Sequence, residues 1–196
     1  MERLYKNKPY LAFDPEKVEI KESCYIVPKN LVKTLYSGRY CAVSGFIYAI
    51  VDGQYSVLAN LRGNGVPDYK GFWNCPCGFL EGDEDSKEGI QREVKEECGI
   101  NLDYNKLKVV FTETDPWICN NGNVTIRHKT YLGKQSQIRS SSIYELNGGE
   151  ENEVSKISWI PLKEVKDYKW AFNHRDLIFK YAHPKIIRWL LEQIDG

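Results

Sequence analysis

Residues 78–100 of this 196-residue chain read GFLEGDEDSKEGIQREVKEECGI, and this stretch decides which fold the sequence predicts. Asp85 followed three residues later by Glu88 forms a capping box, the pattern that starts a helix. Gly99 stands where a glycine commonly ends one. Between these two signals, apolar side chains recur every fourth residue, at Ile90, Val94 and Cys98. The stretch therefore predicts an α-helix from Ser86 to Cys98 that buries one of its faces.

The same helix carries three glutamates on one face. Glu93, Glu96 and Glu97 are spaced i, i+3 and i+4, so their side chains converge, and such like charges destabilise a helix by roughly a few tenths of a kcal/mol per pair. One interpretation is a solvated acidic face, which is the usual meaning of a charge run. The other is a site for a divalent cation such as Mg²⁺, which prefers carboxylate oxygens. The backbone carbonyl of Gly78, in the loop before the helix, could approach the same ion.

Fixed spacing across the whole stretch favours the cation site. The positions that carry this spacing are Gly78, Glu84, Arg92, Glu93, Val94, Glu96, Glu97, Gly99 and Ile100. At every fixed position the stretch resembles the Nudix box, Gly-x₅-Glu-x₇-Arg-Glu-U-x-Glu-Glu-x-Gly-U, in which U is aliphatic. This resemblance implies an α/β fold, specifically a Nudix-type α/β/α sandwich with a mixed, curved sheet.

The resemblance extends to both sides of the box. The segment Trp73-x-x-Pro76-x-Gly78 is similar to the family's lead-in strand and turn, with Cys77 where a second glycine is common. Downstream, Glu153 stands six residues before Trp159. This spacing is similar to the acidic residue, strand and short helix that follow the box in many family members.

The resemblance also implies a role for each residue of the box. In Nudix enzymes the metal ions are bound mainly by the glutamates of the box helix. The implied ligands here are Glu93, Glu96, Glu97 and, through its carbonyl, Gly78. Glu84 and Arg92 are implied to hold those glutamates in position, because a nearby arginine orients carboxylates. The general base that activates the attacking water is expected to be Glu93 or Glu153.

Further candidates lie downstream of the box. Arg127 and His128 fall on opposite faces of one predicted strand, so at most one of them faces the site. Arg127 is a weak candidate for substrate binding, against a surface or core role. Residues 170–174, Trp-Ala-Phe-Asn-His, resemble an Ala-Phe-Asp-His stretch of some ADP-ribose-related Nudix proteins. A helix start capped by Asn173 would explain that stretch equally well.

The chain as a whole is predicted to contain an N-terminal arm, residues 1–38, and a Nudix hydrolase domain, residues 39–196. Asp52-Gly53 predicts a tight hairpin turn. Strands are predicted at Tyr40–Ile50, Tyr55–Leu61, Phe72–Pro76, Leu107–Glu113, Val124–Leu132 and Ile157–Ile160. Helices are predicted at Leu162–Val165 and at His174–Ile194, the latter interrupted at Pro184.

Composition limits the classes of partner. Hydrophobic residues make up 42% and charged residues 28%, as in ordinary globular proteins. The formal net charge is zero, whereas nucleic-acid binders usually show a basic excess, so no nucleic-acid partner is expected. The chain shows neither a run long enough to span a bilayer nor a secretory signal, which predicts a cytoplasmic protein without membrane contact. The six cysteines are then expected to be reduced, and the single pair Cys75-Pro76-Cys77 lacks the second pair typical of structural zinc.

The predicted function is a Mg²⁺-dependent (or Mn²⁺-dependent) hydrolase that cleaves the diphosphate bond of a nucleoside diphosphate linked to another moiety. ADP-ribose or a similar small-molecule nucleotide is the first substrate expected, and the N-terminal arm could form a homodimer. A nucleoside triphosphate pyrophosphatase is an alternative, and so is an RNA cap hydrolase, which the neutral charge disfavours. A non-catalytic nucleotide-binding sensor is disfavoured by the intact glutamates. A prenyl diphosphate isomerase would need separate Cys and Glu motifs that are not found.

Overall fold

A computed structural model of the chain describes residues 11–12, 19–21, 24–26, 34–35, 40–115, 123–134 and 152–187. The chain divides into two compact units, Met1–Tyr40 and Cys41–Gly196. In the first unit β1 (Leu11–Ala12) pairs with β4 (Thr34–Leu35) and β2 (Glu19–Lys21) pairs with β3 (Cys24–Ile26), both antiparallel. Most of the predicted arm lies outside the described residues, so its role as an arm or a dimer contact stays a prediction.

The second unit is built on a mixed sheet of seven strands. The strands are β5 (Cys41–Val51), β6 (Gln54–Arg62), β7 (Trp73–Asn74), β8 (Cys77–Phe79), β9 (Lys108–Glu113), β10 (Val124–Lys134) and β11 (Val154–Pro161). The main order is β11-β6-β5-β10-β9, with β7 paired to β6 and β8 paired to β5. Only β5 and β10 run parallel to each other, and every other described pair in this sheet is antiparallel. The sheet is therefore mixed, as predicted.

The hairpin between β5 and β6 forms where the sequence predicts it. Asp52 has φ 49° and Gly53 has φ 77°. Left-handed backbone at both central residues is the signature of the type I′ turn, whose twist matches that of paired strands. Asp and Gly adopt this conformation more readily than most other residues, so the turn sets the register of β5 and β6.

Two helices cover opposite faces of the sheet. The first, α1 (Ser86–Cys98), packs Ile90 and Val94 against Val43 and Ile47 of β5. The second, α2 (His174–Tyr181), lies over the other face, in a core cluster that includes Phe46, Tyr48, Leu177 and Ile178. Alternate residues of one strand thus enter two separate cores, because successive side chains point to opposite faces. The α/β/α sandwich implied by the sequence is confirmed.

Two elements differ from their predictions. The strand predicted over Phe72–Pro76 is shorter, β7 at Trp73–Asn74, since Pro76 has no N–H to continue a ladder, and β8 beyond it was not predicted. The Pro76 carbonyl instead accepts a hydrogen bond from N of Gly45 at 2.9 Å. The predicted helix at Leu162–Val165 is a 3₁₀ helix over Leu162–Asp167.

The C-terminal helix breaks close to the predicted place. Helix α2 ends at Tyr181, and helical conformation resumes at Pro184. Proline suits the first turn of a helix, where its missing N–H would have no partner. The predicted continuation beyond residue 187, and the predicted turn at 120–123 except Asn123, lie outside the described residues. Among the residues that are described, no helix has the length and apolar character needed to cross a membrane.

Candidate functional site

The helix α1 is held at both ends by local contacts. Oδ1 of Asp85 accepts from N of Lys87 at 2.7 Å and from N of Glu88 at 3.0 Å. Oε2 of Glu88 accepts in return from N of Asp85 at 2.7 Å, which completes the predicted capping box. Gly99 closes the other end in the left-handed conformation, with φ 68°. The caps fix the two ends of the helix, the packing of Ile90 and Val94 fixes its rotation, and Glu93 and Glu97 lie against β8.

Arg92 connects the acidic residues around α1. Its Nη2 and Nε donate to the two carboxylate oxygens of Glu84, at 2.7 and 3.0 Å. Its Nη1 donates to Oε1 of Glu93 at 2.8 Å and to Oε2 of Glu96 at 3.0 Å. The hydrogen bond from Arg92 lowers the pKa of Glu84, so that carboxylate is ionised at neutral pH. Arg92 therefore ties two helix glutamates to the loop that precedes the helix.

The replacement Gly89→Ala is expected to lower the free energy of unfolding by about 1 kcal/mol, although alanine is the better helix former by about that amount. A Cβ there would lie 2.7 Å from Cδ2 of Leu80 and 2.9 Å from Oε1 of Glu84. That oxygen is already fixed by Arg92, and charge-assisted bonds of this kind contribute about 1.5–3 kcal/mol. Urea denaturation would measure the change, with Lys95→Ala on the exposed helix face as control. A Gly89→Ala protein more stable than wild type would contradict this packing.

Glu97 is partly buried against the sheet. Its Oε2 accepts hydrogen bonds from Nδ2 of Asn60 at 2.8 Å and from N of Cys77 at 3.1 Å. Burial, followed by the negative charge of Glu93, raises the pKa of Glu97 to about 8. A neighbouring cation would favour the ionised form. Asn60 was not predicted as a site residue, and the available signal was a lone amide within the apolar run 57–61.

Gly78 lies directly against the carboxylate of Glu93. It is the middle residue of β8 and pairs with Val43 of β5. A Cβ on Gly78 would collide with Oε1, Oε2 and Cδ of Glu93. Glycine is needed here because only its bare backbone allows the carboxylate to rest on the strand.

The donor set in this region suits Mg²⁺ or Mn²⁺. The carboxylates of Glu93, Glu96 and Glu97 and a backbone carbonyl are hard oxygen ligands. Within the described ranges, no three His, Cys, Asp or Glu side chains already surround a common point, and Arg92 bridges Glu93 and Glu96 instead. A site of this kind fits Mg²⁺, which usually keeps several waters and substrate phosphates among its ligands.

One cleft of about 980 Å³ joins these glutamates to the other predicted residues. Such a volume lies at the upper end of small-molecule sites. Glu153 lines the cleft with an exposed side chain, and Arg127 lines it while being only 4% exposed. His128 points to the opposite face, where its Nε2 lies 3.1 Å from Oγ of Ser86. Arg127 and His128 therefore lie on opposite faces of β10, as predicted, and Arg127 is the one that faces the cleft.

Two aromatic residues on the cleft wall were not predicted. The rings of Tyr69 and Phe172 lie 5.0 Å apart, and the guanidinium carbon of Arg62 lies 5.2 Å from the centre of the Phe172 ring. Tyr69 has φ 49° and Phe172 has φ 56°, a left-handed conformation that is unusual for bulky residues. Strain of this kind concentrates at functional sites. The sequence signal was limited to the short resemblance over residues 170–174.

His174, two residues after Phe172, lines the same cleft. It is 3% exposed, and its Nδ1 accepts a hydrogen bond from N of Cys75 at 3.0 Å. Burial, followed by the charges of Arg127 and Arg62, lowers the pKa of His174 to about 3, so the ring is neutral. Asn173 precedes α2, but its side chain makes no capping hydrogen bond. The capping explanation for this stretch is therefore wrong.

Comparisons with known proteins bear on the family and the fold of this chain. A family model described as NUDIX domain matches residues 43–181. Among curated proteins, Nudix hydrolase 2 of Arabidopsis thaliana is 25% identical over 128 residues. That match covers 64% of this chain and 41% of the relative, so the chain spans about two fifths of the relative's length.

Solved structures share the fold. The NUDIX domain of Shewanella oneidensis NrtR complexed with ADP ribose has a TM-score of 0.59 at 23% identity, over 74% of this chain and 86% of that one. A bifunctional NMN adenylyltransferase/ADP ribose pyrophosphatase from Francisella tularensis, complexed with AMP and Mn ion, has a TM-score of 0.53 at 23% identity. That match covers 80% of this chain and 42% of the other. At such identities the likeness establishes the architecture alone.

Proposed function

This chain belongs to the NUDIX family, and on that premise we propose that it hydrolyses the diphosphate bond of a nucleoside diphosphate linked to another moiety. ADP-ribose is the first candidate substrate, and Mg²⁺ or Mn²⁺ is the proposed cofactor. One observation carries the proposal, namely that a single cleft is lined both by the glutamates of α1 and by the pair Tyr69 and Phe172. Such a cleft can hold a diphosphate and a nucleobase at the same time.

The acidic residues divide into ligands and positioning groups. We assign Glu93, Glu96, Glu97 and the Gly78 carbonyl to the divalent cation. When bound, that cation would neutralise the diphosphate and acidify a nearby water. Glu84 and Arg92 orient the carboxylates through the hydrogen bonds described above, and such outer partners typically change metal affinity or activity 10–100-fold.

The general base is assigned to Glu153. Glu93, the other candidate, rests against Gly78 and accepts a hydrogen bond from Nη1 of Arg92. Its Oε1 is therefore already engaged by a cationic donor, and the carboxylate is held against the strand. Glu153 lines the cleft with an exposed side chain, and its backbone is anchored because its carbonyl accepts from N of Gly63 at 2.6 Å. A fixed backbone with an exposed carboxylate suits the removal of a proton from water.

Nucleotide recognition is assigned to the aromatic wall. Flat rings attract nucleobases by stacking, and Arg62 beside Phe172 adds a second planar, polarisable group. The structural relative from Shewanella oneidensis is complexed with ADP ribose, and the one from Francisella tularensis with AMP. Both ligands contain adenine, which supports an adenine nucleotide as the first one to test.

The replacement Phe172→Leu is expected to weaken nucleotide affinity by about tenfold, because base stacking contributes about 1–3 kcal/mol per base. The value of kcat should change little, since the side chain is proposed to contact the base and not the diphosphate. Equilibrium binding of AMP and ADP-ribose would measure the effect. Tyr168→Leu is the matched control, because Tyr168 packs on Trp73 and does not line the cleft. Equal affinity of wild type and Phe172→Leu would rule out the stacking role.

The hydrolase proposal is tested by product release from a substrate panel in Mg²⁺. The panel contains ADP-ribose, NADH, diadenosine polyphosphates, GDP-mannose, nucleoside triphosphates and capped RNA, each with a Glu97→Gln control. Fast cleavage of one class, lost in the control, would support the proposal and name the substrate. Preferred cleavage of triphosphates would identify a nucleoside triphosphate pyrophosphatase. Tight binding without cleavage of any member would refute hydrolysis and indicate a sensor.

A further inference from the structure

A buried cation without a counter-ion lies in the cleft. Arg127 is 4% exposed, and its Nε has no hydrogen-bond partner. No carboxylate among the described residues forms an ion pair with it. Burying an unpaired guanidinium is unfavourable unless something compensates its charge. Because Arg127 lines the cleft, an anionic ligand is the natural source of that compensation.

A second uncompensated polar group stands beside it. Ser44 on β5 is the register partner of Arg127 on β10 and faces the same cleft. It is 1% exposed, and its Oγ has no hydrogen-bond partner. A buried hydroxyl costs free energy unless it is hydrogen-bonded, and a ligand in the cleft could supply that hydrogen bond.

His174 supplies a third donor whose direction is fixed. Because Nδ1 accepts the N–H of Cys75, the proton of the neutral ring lies on Nε2. The hydrogen bonds among the described residues leave that N–H without an acceptor. The ring is 3% exposed and lines the cleft beside Arg127 and Ser44. A neutral donor next to a cation binds anions without adding a second buried charge.

The strand register relates these donors to the glutamates. Ser44 pairs with Cys77 on one side and with Arg127 on the other. Since the N–H of Cys77 binds Glu97, two strand spacings, or about 10 Å, separate the backbone that holds Glu97 from that of Arg127. The backbone of Arg127 therefore lies two strands away from the one that holds Glu97, with Ser44 between them, a separation that an extended substrate can span.

We propose that Ser44, Arg127 and His174 form a phosphate-binding subsite that holds the substrate phosphate remote from the glutamates of α1. The guanidinium would take two non-bridging oxygens, which its fork geometry matches, and the hydroxyl and imidazole would each donate one hydrogen bond. This inference deepens the proposed function and depends on it for the identity of the whole substrate. The subsite accounts for two buried polar groups, Ser44 and Arg127, that the described residues leave without a hydrogen-bond partner at Oγ and Nε.

The test measures anion binding with the catalytic cation removed. In EDTA, the affinities for inorganic diphosphate and for ADP are measured by calorimetry on wild type, Arg127→Met, Arg127→Lys and Arg175→Met. We expect Arg127→Met to weaken both ligands by about tenfold or more, because a charge-assisted bidentate contact is lost. Arg127→Lys should weaken them less, since it keeps the charge but not the fork. Arg175→Met, a matched change at an exposed arginine outside the cleft, should have no effect.

A melting experiment separates binding from a structural role. Without ligand, Arg127→Met should melt at a temperature equal to or above that of wild type, because an unpaired buried charge is removed. Diphosphate at a fixed concentration should raise the melting temperature of wild type by more than that of Arg127→Met. Unchanged affinities in both Arg127 variants, or a lower melting temperature of ligand-free Arg127→Met with unchanged affinity for Arg127→Lys, would overturn the subsite. Diphosphate binding that depends on Arg127 in a protein that hydrolyses no panel member would keep the subsite and refute only the hydrolase.

Discussion

Replacing Glu97 by glutamine is expected to lower kcat by about 100-fold or more and, at the same time, to stabilise the metal-free protein at pH 8. The loss of rate has the order seen when a group that stabilises transition-state charge is removed. The gain in stability arises because one oxygen, Oε2, accepts both hydrogen bonds, from Asn60 and from Cys77. A glutamine carbonyl can accept both, while its neutral amide removes a partly buried charge.

The stabilisation by Glu97→Gln depends on pH in a defined direction. The folded carboxyl has a pKa of about 8, raised from an ordinary value of 4.5. The folded protein therefore holds the proton more tightly than the unfolded chain, and wild type loses stability as pH rises from about 4.5 to about 8. One pKa unit corresponds to about 1.4 kcal/mol, so a pKa raised from 4.5 to about 8 gives a penalty on the order of 4 kcal/mol at pH 8 and close to zero near pH 4.5.

Thermal melts in EDTA from pH 5 to 8 would measure this difference. The wild-type melting temperature should fall relative to that of Glu97→Gln as pH rises, and added Mg²⁺ should recover part of it in wild type alone. Glu164→Gln, a partly exposed glutamate outside the cleft, should follow wild type throughout. Parallel melting curves of wild type and Glu97→Gln across this range would show that Glu97 is not charged and buried at pH 8.

The replacement Glu153→Gln is expected to lower kcat by about 100-fold or more while leaving metal affinity unchanged, as general-base catalysis contributes about 10²–10⁴-fold. Glu93→Gln should instead weaken metal binding and activity together, because that carboxylate rests on Gly78 beside the proposed cation. Titration with Mn²⁺ followed by electron paramagnetic resonance would give the affinities, and single-turnover kinetics would give the rates.

The two variants separate the two candidates for the base. If Glu93→Gln kept full Mn²⁺ affinity and lost its rate, whereas Glu153→Gln stayed active, Glu93 would be the base. A dependence of log kcat on pH would add a second readout. The rate of wild type should decrease as the base becomes protonated at low pH, and this decrease should disappear in the variant that lacks the base.

Local contacts explain why the sequence predicted α1 so well. Its capping box, buried stripe and terminal glycine all act within four residues along the chain, so their spacing is readable without tertiary information. The Asp52-Gly53 turn was predictable for the same reason, because φ values decide it. The spacing of Glu93, Glu96 and Glu97 also belongs to this class, since an ideal helix aligns residues three and four apart.

Other features were decided by contacts between distant segments. Strand β8 has only three residues and forms because it pairs with β5. A segment this short shows no periodic pattern from which the strand could be predicted. Asn60 reaches Glu97 across 37 positions, and Cys75 reaches His174 across 99. These pairs depend on strand register and on the packing of helices on the sheet, which no short window of sequence contains.

By itself, the sequence determined the helix that carries the glutamates, the Asp52-Gly53 turn that joins β5 to β6, and the family to which the chain belongs. Each of these rests on spacing along a backbone whose geometry is fixed over a few residues. Only the tertiary structure decided that Arg127 faces the cleft, that Tyr69 meets Phe172, and that Glu97 has a raised pKa. Such properties depend on burial and on contacts between residues far apart in the sequence. Both arise only when the helices pack on the two faces of the sheet.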